Sequence, residues 1–84
     1  MPEIIMYTLS TCPWCRKTKK FFAERNVPVL CTDYDLADDD EQERIMNDML
    51  EHDGTGQFPY VRIGNEVIVG WNPEKYAELL ELAA

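Results

Sequence analysis

Two cysteines separated by two residues stand early in the chain, within Thr11-Cys12-Pro13-Trp14-Cys15-Arg16-Lys17. Such a pair supports three kinds of chemistry: it can clip a metal, close a structural staple, or cycle between dithiol and disulfide. Structural zinc takes four ligands, commonly two such pairs or a mixture of Cys and His. Beyond the pair, the chain offers only Cys31 and His52, at spacings that match no zinc pattern. Cys31 falls in an apolar run and is expected to be a plain buried thiol. His52 falls at an expected helix C-terminus, which suits a capping or surface role. No metal site is therefore expected within one chain. An iron–sulfur cluster bridging two protomers needs fewer ligands from each copy and stands as an alternative.

The elements that must position the pair follow from pattern. Ile4 to Thr8 is short, apolar and rich in β formers, and reads as a buried strand. From Pro13 to Arg25, the residues Trp14, Thr18, Phe21, Phe22 and Arg25 are spaced like one helix face. Pro13 suits the first helical turn, and Asn26 is a stop. Val27 to Thr32 reads as a second strand, starting after Pro28. Asp38, Asp39, Asp40 and Glu41 crowd a place that a helix N-terminus favours electrostatically. Ile45, Met46, Met49 and Leu50 give that helix an apolar stripe ending before Gly54-Thr55-Gly56. Tyr60 to Ile63 and Glu66 to Val69, joined by Gly64-Asn65, make a hairpin. Asn72-Pro73 is an N-cap and first position for a last helix, with Tyr76, Leu79, Leu80 and Ala83 on one face. The order βαβαββα predicts an α/β fold: a four-stranded mixed sheet, strand order 2-1-3-4, flanked by helices. Residues 1–84 make one domain, too short for two cores.

On this layout Cys12 lies in the loop leaving the first strand and Cys15 in the first helical turn. The free N–H groups of a helix start stabilise negative charge, so Cys12 is expected to ionise readily. Cysteines so placed have pKa values lowered from about 8.5 to roughly 3.5–7.5. Cys15 is expected to stay a thiol and to resolve the mixed disulfide that Cys12 forms. Arg16, Lys17, Lys19 and Lys20 cluster nearby, either as a solvated face or as charge favouring the Cys12 thiolate. Phe58-Pro59 precedes the third strand, an ordinary place for proline. A cis bond facing the CxxC is the functional alternative, but only about 5–6% of X–Pro bonds are cis.

Bulk composition narrows the partners. Hydrophobic content of 45% allows a compact core, and the net charge of −8 argues against nucleic acid. An acidic body with a local basic rim points to small or acidic partners more than to a membrane surface. No leader and no apolar stretch of bilayer-spanning length is seen, so a cytoplasmic monomer is expected. In that compartment CxxC is more often catalytic or metal-binding than a permanent staple.

Tyr7-Thr8 followed by Cys12-Pro13-Trp14-Cys15, then Thr55-Gly56-Gln57-Phe58-Pro59, then Gly70-Trp71-Asn72, resembles the glutaredoxin family of the thioredoxin fold across essentially the whole chain. Trp14 stands where the family's CPYC carries Tyr. The resemblance implies a thiol–disulfide oxidoreductase in which Cys12 is the nucleophile, Cys15 resolves and Pro59 is cis. It implies no tightly bound cofactor, and glutathione as co-substrate. Thr11, Pro13, Trp14, Gln57, Phe58 and Pro59 would contact the thiol substrate, with its γ-glutamyl end around Gly70, Trp71 and Asn72. Disulfide-containing proteins would be the other substrates. Three positions depart from the pattern: Leu9 replaces a common Lys, Gln57-Phe58-Pro59 replaces Thr-Val-Pro, and Pro73 supplies no N–H. Gly70-Trp71-Asn72-Pro73-Glu74-Lys75 is closer to redoxins that serve ribonucleotide reductase and take electrons from thioredoxin reductase, a flavoprotein. That role is the alternative. A redox-regulated binding module is a third.

Overall fold

Strand β1, Ile4–Thr8, is the keel of the molecule in the computed structural model, which describes residues 3–52 and 56–83. Its side chains alternate. Ile4 and Met6 enter one apolar cluster, whereas Ile5 and Tyr7 meet another on the opposite face. The same period of two runs through β3 (Tyr60–Ile63) and β4 (Glu66–Val69), with Val61, Ile63 and Ile68 on the first face and Tyr60, Val67 and Val69 on the second.

Each helix begins on a local cap. Helix α1, Pro13–Glu24, starts at Cys12, whose Sγ accepts a hydrogen bond from the Cys15 N–H at 3.1 Å. It ends at Asn26, whose φ of 56° is the left-handed conformation that Asn tolerates and that closes helices. Helix α2, Asp39–Glu51, starts at Asp38, which accepts from the Glu41 N–H at 2.8 Å. Helix α3, Pro73–Ala83, starts at Asn72, which accepts from the Lys75 N–H at 3.2 Å. His52 caps α2 at its far end, with Nδ1 3.0 Å from Asp48. None of the described helices is long and apolar enough to cross a membrane.

The sheet order is β2-β1-β3-β4, with β2 (Leu30–Asp33) parallel to β1 and the other pairs antiparallel. Phe21, Phe22, Tyr76 and Leu79 place α1 and α3 on one face; Ile45 and Met49 place α2 on the other. This is the expected four-stranded architecture. A short 3₁₀ turn, Tyr34–Leu36, was not expected and links β2 to α2.

Four local expectations need correction. The second strand starts at Leu30 and not after Pro28, because Val27 N–H closes α1 on the Phe22 carbonyl and Pro28 has no N–H to give. Cys31 is exposed and not buried, because β2 is an edge strand paired on one side only. Leu50 is 57% exposed although it follows the stripe of Ile45 and Met49, which alone in α2 are fully covered. Trp14 and Arg25 lie outside the buried face of α1, which consists of Cys15, Thr18, Phe21 and Phe22. Gly54 and Thr55, and the side chain of Ala83, lie outside the described residues.

Candidate functional site

The loop from Thr8 to Cys12 turns sharply: the Cys12 N–H donates to the Leu9 carbonyl at 3.2 Å. It is tethered from outside by Asp35, which accepts from the Ser10 N–H at 2.8 Å and also from the Ser10 hydroxyl. The tether joins residues 25 apart, and no local pattern announces it. Cys12 is thereby delivered to the N-terminus of α1, half-buried, with its sulfur on the Cys15 N–H. That N–H is one of the donors a helix start leaves without an intrahelical partner, and the Cys12 sulfur satisfies it.

Cys15 is in the opposite condition. It is fully buried one turn inward. Burial pushes its thiol up to about 12, assisted by its hydrogen bond and negative neighbour at Cys12, while the Leu9 backbone and the Lys19 charge pull the other way. The pair thus consists of one accessible sulfur at a helix start and one protected thiol. It fits an attacking and a resolving cysteine.

The basic cluster is mostly committed elsewhere. Lys17 sits over the Trp14 ring, 4.7 Å from its centre, and Arg16 reaches the Ser10 carbonyl at 3.5 Å. Lys20 faces Glu24 at 3.7 Å. Lys19 alone turns inward, to Asp33 at 2.8 Å, and Asp33 also accepts from the buried Thr8 hydroxyl at 2.5 Å. Those two donors hold the Asp33 carboxyl below the usual carboxylate range.

Beside the cysteines lies a groove of about 240 Å³ lined by Trp14, Phe58, Pro59, Gly70 and Trp71. Three segments remote in sequence converge here. The Phe58–Pro59 peptide is cis, and the Pro59 carbonyl accepts from the Gly70 N–H at 2.8 Å. Gly70 has a φ of 95°, a conformation that side chains other than hydrogen rarely adopt, although a Cβ there would meet open space. The Tyr76 hydroxyl donates to the Gly70 carbonyl and so fixes this turn from α3. Trp71 packs edge-on against Phe21 and Tyr76, and Tyr34 packs on Phe58. Of the expected contact residues, Trp14, Phe58, Pro59, Gly70 and Trp71 are brought together. Thr11, Pro13, Gln57 and Asn72 are exposed and not among the lining residues, and the Asn72 side chain is occupied as the α3 cap. Sequence reasoning missed Ser10–Asp35 and Thr8–Asp33–Lys19, which depend on β2 lying beside β1. Among the described residues no cluster of three or more His, Cys, Asp or Glu is placed to hold a metal.

Comparison with known proteins places this geometry. The family model described as Glutaredoxin matches residues 4–68. A relative in Clostridium pasteurianum, described as an uncharacterized glutaredoxin-like 8.6 kDa protein in the rubredoxin operon, is 32% identical over 78 residues, covering 93% of this chain and 97% of the relative. Among solved structures, the glutaredoxin grx-1 of Archaeoglobus fulgidus superposes with a TM-score of 0.86 at 31% identity, over 95% of this chain and 87% of that one. The Methanosarcina acetivorans methanoredoxin superposes with a TM-score of 0.88 at 31% identity, over 94% of this chain and 84% of that one.

Proposed function

The chain belongs to the glutaredoxin family, and on that premise we propose that it reduces protein disulfides or glutathione mixed disulfides through a Cys12–Cys15 dithiol cycle. Membership supports thiol–disulfide redox chemistry. The observation that carries the finer reading is the asymmetry of the pair: Cys12 Sγ takes the Cys15 N–H at the helix start, while Cys15 is sealed beneath it. The Cys12 thiolate attacks one sulfur of the substrate disulfide and expels the other half as a thiolate, which takes up a proton. Cys15 then attacks the Cys12 sulfur, releasing the second thiol and leaving a Cys12–Cys15 disulfide. Two electrons from a donor restore the dithiol.

The groove supports an extended thiol peptide lying along Phe58–Pro59, flanked by Trp14 and Trp71. Glutathione and a flavoprotein reductase are both proposed as donors, and the assay separates them. Reduction of a glutathionylated peptide is followed with NADPH, once with glutathione and glutathione reductase and once with thioredoxin reductase. Cys12→Ser is expected to abolish turnover in whichever arm is active. Cys15→Ser is expected to stop protein-disulfide reduction at a trapped Cys12 adduct. Full activity in Cys12→Ser sinks the proposal.

A further inference from the structure

Lys19 differs from the other basic residues of α1. It lies four residues after Cys15, on the same helix face, and its ammonium is held at 2.8 Å by Asp33. Asp33 is fixed in turn by the hydroxyl of Thr8, a side chain with no exposed surface at the end of β1. The pair is partly covered, with side-chain exposures of 37% and 25%, and its structural role is to join α1 to the end of β2. It has a chemical role as well.

Resolution of the mixed disulfide requires a negative charge on Cys15, in a place where burial opposes it. Resting on the dithiol cycle proposed above, we propose that Lys19, held by Asp33 and Thr8, is a positioning charge for the second half-reaction: it stabilises the Cys15 thiolate as that thiolate attacks the Cys12 sulfur. The step balances within the complex. The Cys15–Cys12 bond forms as the bond from Cys12 to the substrate sulfur breaks, and the departing thiolate takes up the proton that Cys15 gave to water. On α1, Cys15 touches Cys12 through its N–H and has Lys19 one turn on; Lys19 in turn holds Asp33 of β2 and lines the same cleft as Cys31. Lys19 is the one cation among them. Asp33 keeps it in place, and the carboxylate is itself held by two donors, the Lys19 ammonium and the Thr8 hydroxyl.

The test separates the two half-reactions. The reduced protein, in a Cys31→Ala background, is mixed with 5,5′-dithiobis(2-nitrobenzoate), and thionitrobenzoate release is followed by stopped flow. The first release reports attack by Cys12 and the second reports attack by Cys15. Raising a thiol's pKa by one unit cuts its thiolate tenfold but raises intrinsic nucleophilicity, so Lys19→Met is expected to slow the second release about threefold. The rise of the second rate with pH should shift to higher pH, the first release should stay unchanged, and Lys19→Arg should restore the parent profile. A second release unaltered in Lys19→Met, equally slow in Lys19→Arg, or slowed only in step with the first overturns the role of Lys19. Absence of any second release from the parent protein overturns the dithiol cycle itself.

Discussion

On the face of the sheet covered by α1 and α3, the contacts are almost wholly hydrocarbon and aromatic: Ile4, Met6, Phe21, Phe22, Val61, Ile63, Ile68, Tyr76 and Leu79. On the face covered by α2, the buried cluster among the described residues is Tyr7, Ile45, Met49 and Tyr60, and an ionic network does part of the joining. Asp48 accepts from the Tyr7 hydroxyl at 2.5 Å and from Arg62 at 3.1 Å, and lies 3.0 Å from His52. Cys15 is buried on the face of α1 that also carries Phe21 and Phe22, whereas the second face has directional bonds that titrate.

The comparison is broken most strongly on the apolar side. Phe22→Ala removes a fully buried ring that contacts Phe21 and Tyr76, and is expected to lower stability by about 3–5 kcal/mol in urea denaturation. The same variant should expose Cys15, read as faster alkylation of its thiol by iodoacetamide.

On the second face, Asp48→Ala leaves Arg62 and the Tyr7 hydroxyl without their shared partner and is expected to lose about 1–3 kcal/mol. Its pH signature sharpens the contrast. Burial would raise the Asp48 carboxyl, but the hydrogen bonds from Tyr7 and Arg62, with the charges of Arg62 and His52, hold it below its ordinary 3.8. A carboxyl lower in the folded than in the unfolded chain stabilises above the unfolded value and loses that contribution as pH falls through the folded one. Acid titration of stability should therefore show a shallower decline below pH 3.8 in Asp48→Asn than in the parent. Part of the decline should persist, because Asp33 is also held low.

The smallest effect belongs to neither face. Lys20 and Glu24 stand 3.7 Å apart with both side chains largely in water, so Lys20→Ala should change stability by less than about 0.5 kcal/mol. A loss comparable to that of Asp48→Ala would show that surface charge matters here as much as the α2 network.

Much of this arrangement was legible locally. The short apolar run Ile4–Thr8 and the hairpin from Tyr60 to Val69 around Gly64-Asn65 read as strands, because composition and a two-residue turn are local signals. Asp38, Asn72 and the prolines at positions 13 and 73 mark helix starts because a cap acts within three residues. The cysteine pair was placed for the same reason: a strand end, a short loop and Pro13 put Cys12 at a cap and Cys15 inside the first turn. Leu50 and Trp14 misled because helical spacing gives the direction of a side chain but not how far the opposing layer extends.

What the chain determined by itself, then, is its succession of elements, their caps, and the chemistry of a CxxC at a helix N-terminus. Tertiary structure decided which strand became an edge, and so left Cys31 in solvent against the expectation from its apolar surroundings. It also brought Phe58–Pro59 and Gly70–Trp71 to Trp14, Asp35 to Ser10, and Asp33 to Lys19 and Thr8. The physical reason is range. Caps, turns and periodicity are energies of a few neighbouring residues, whereas these contacts span 14 to 25 residues or more and exist only once β2 and β3 have paired on either side of β1.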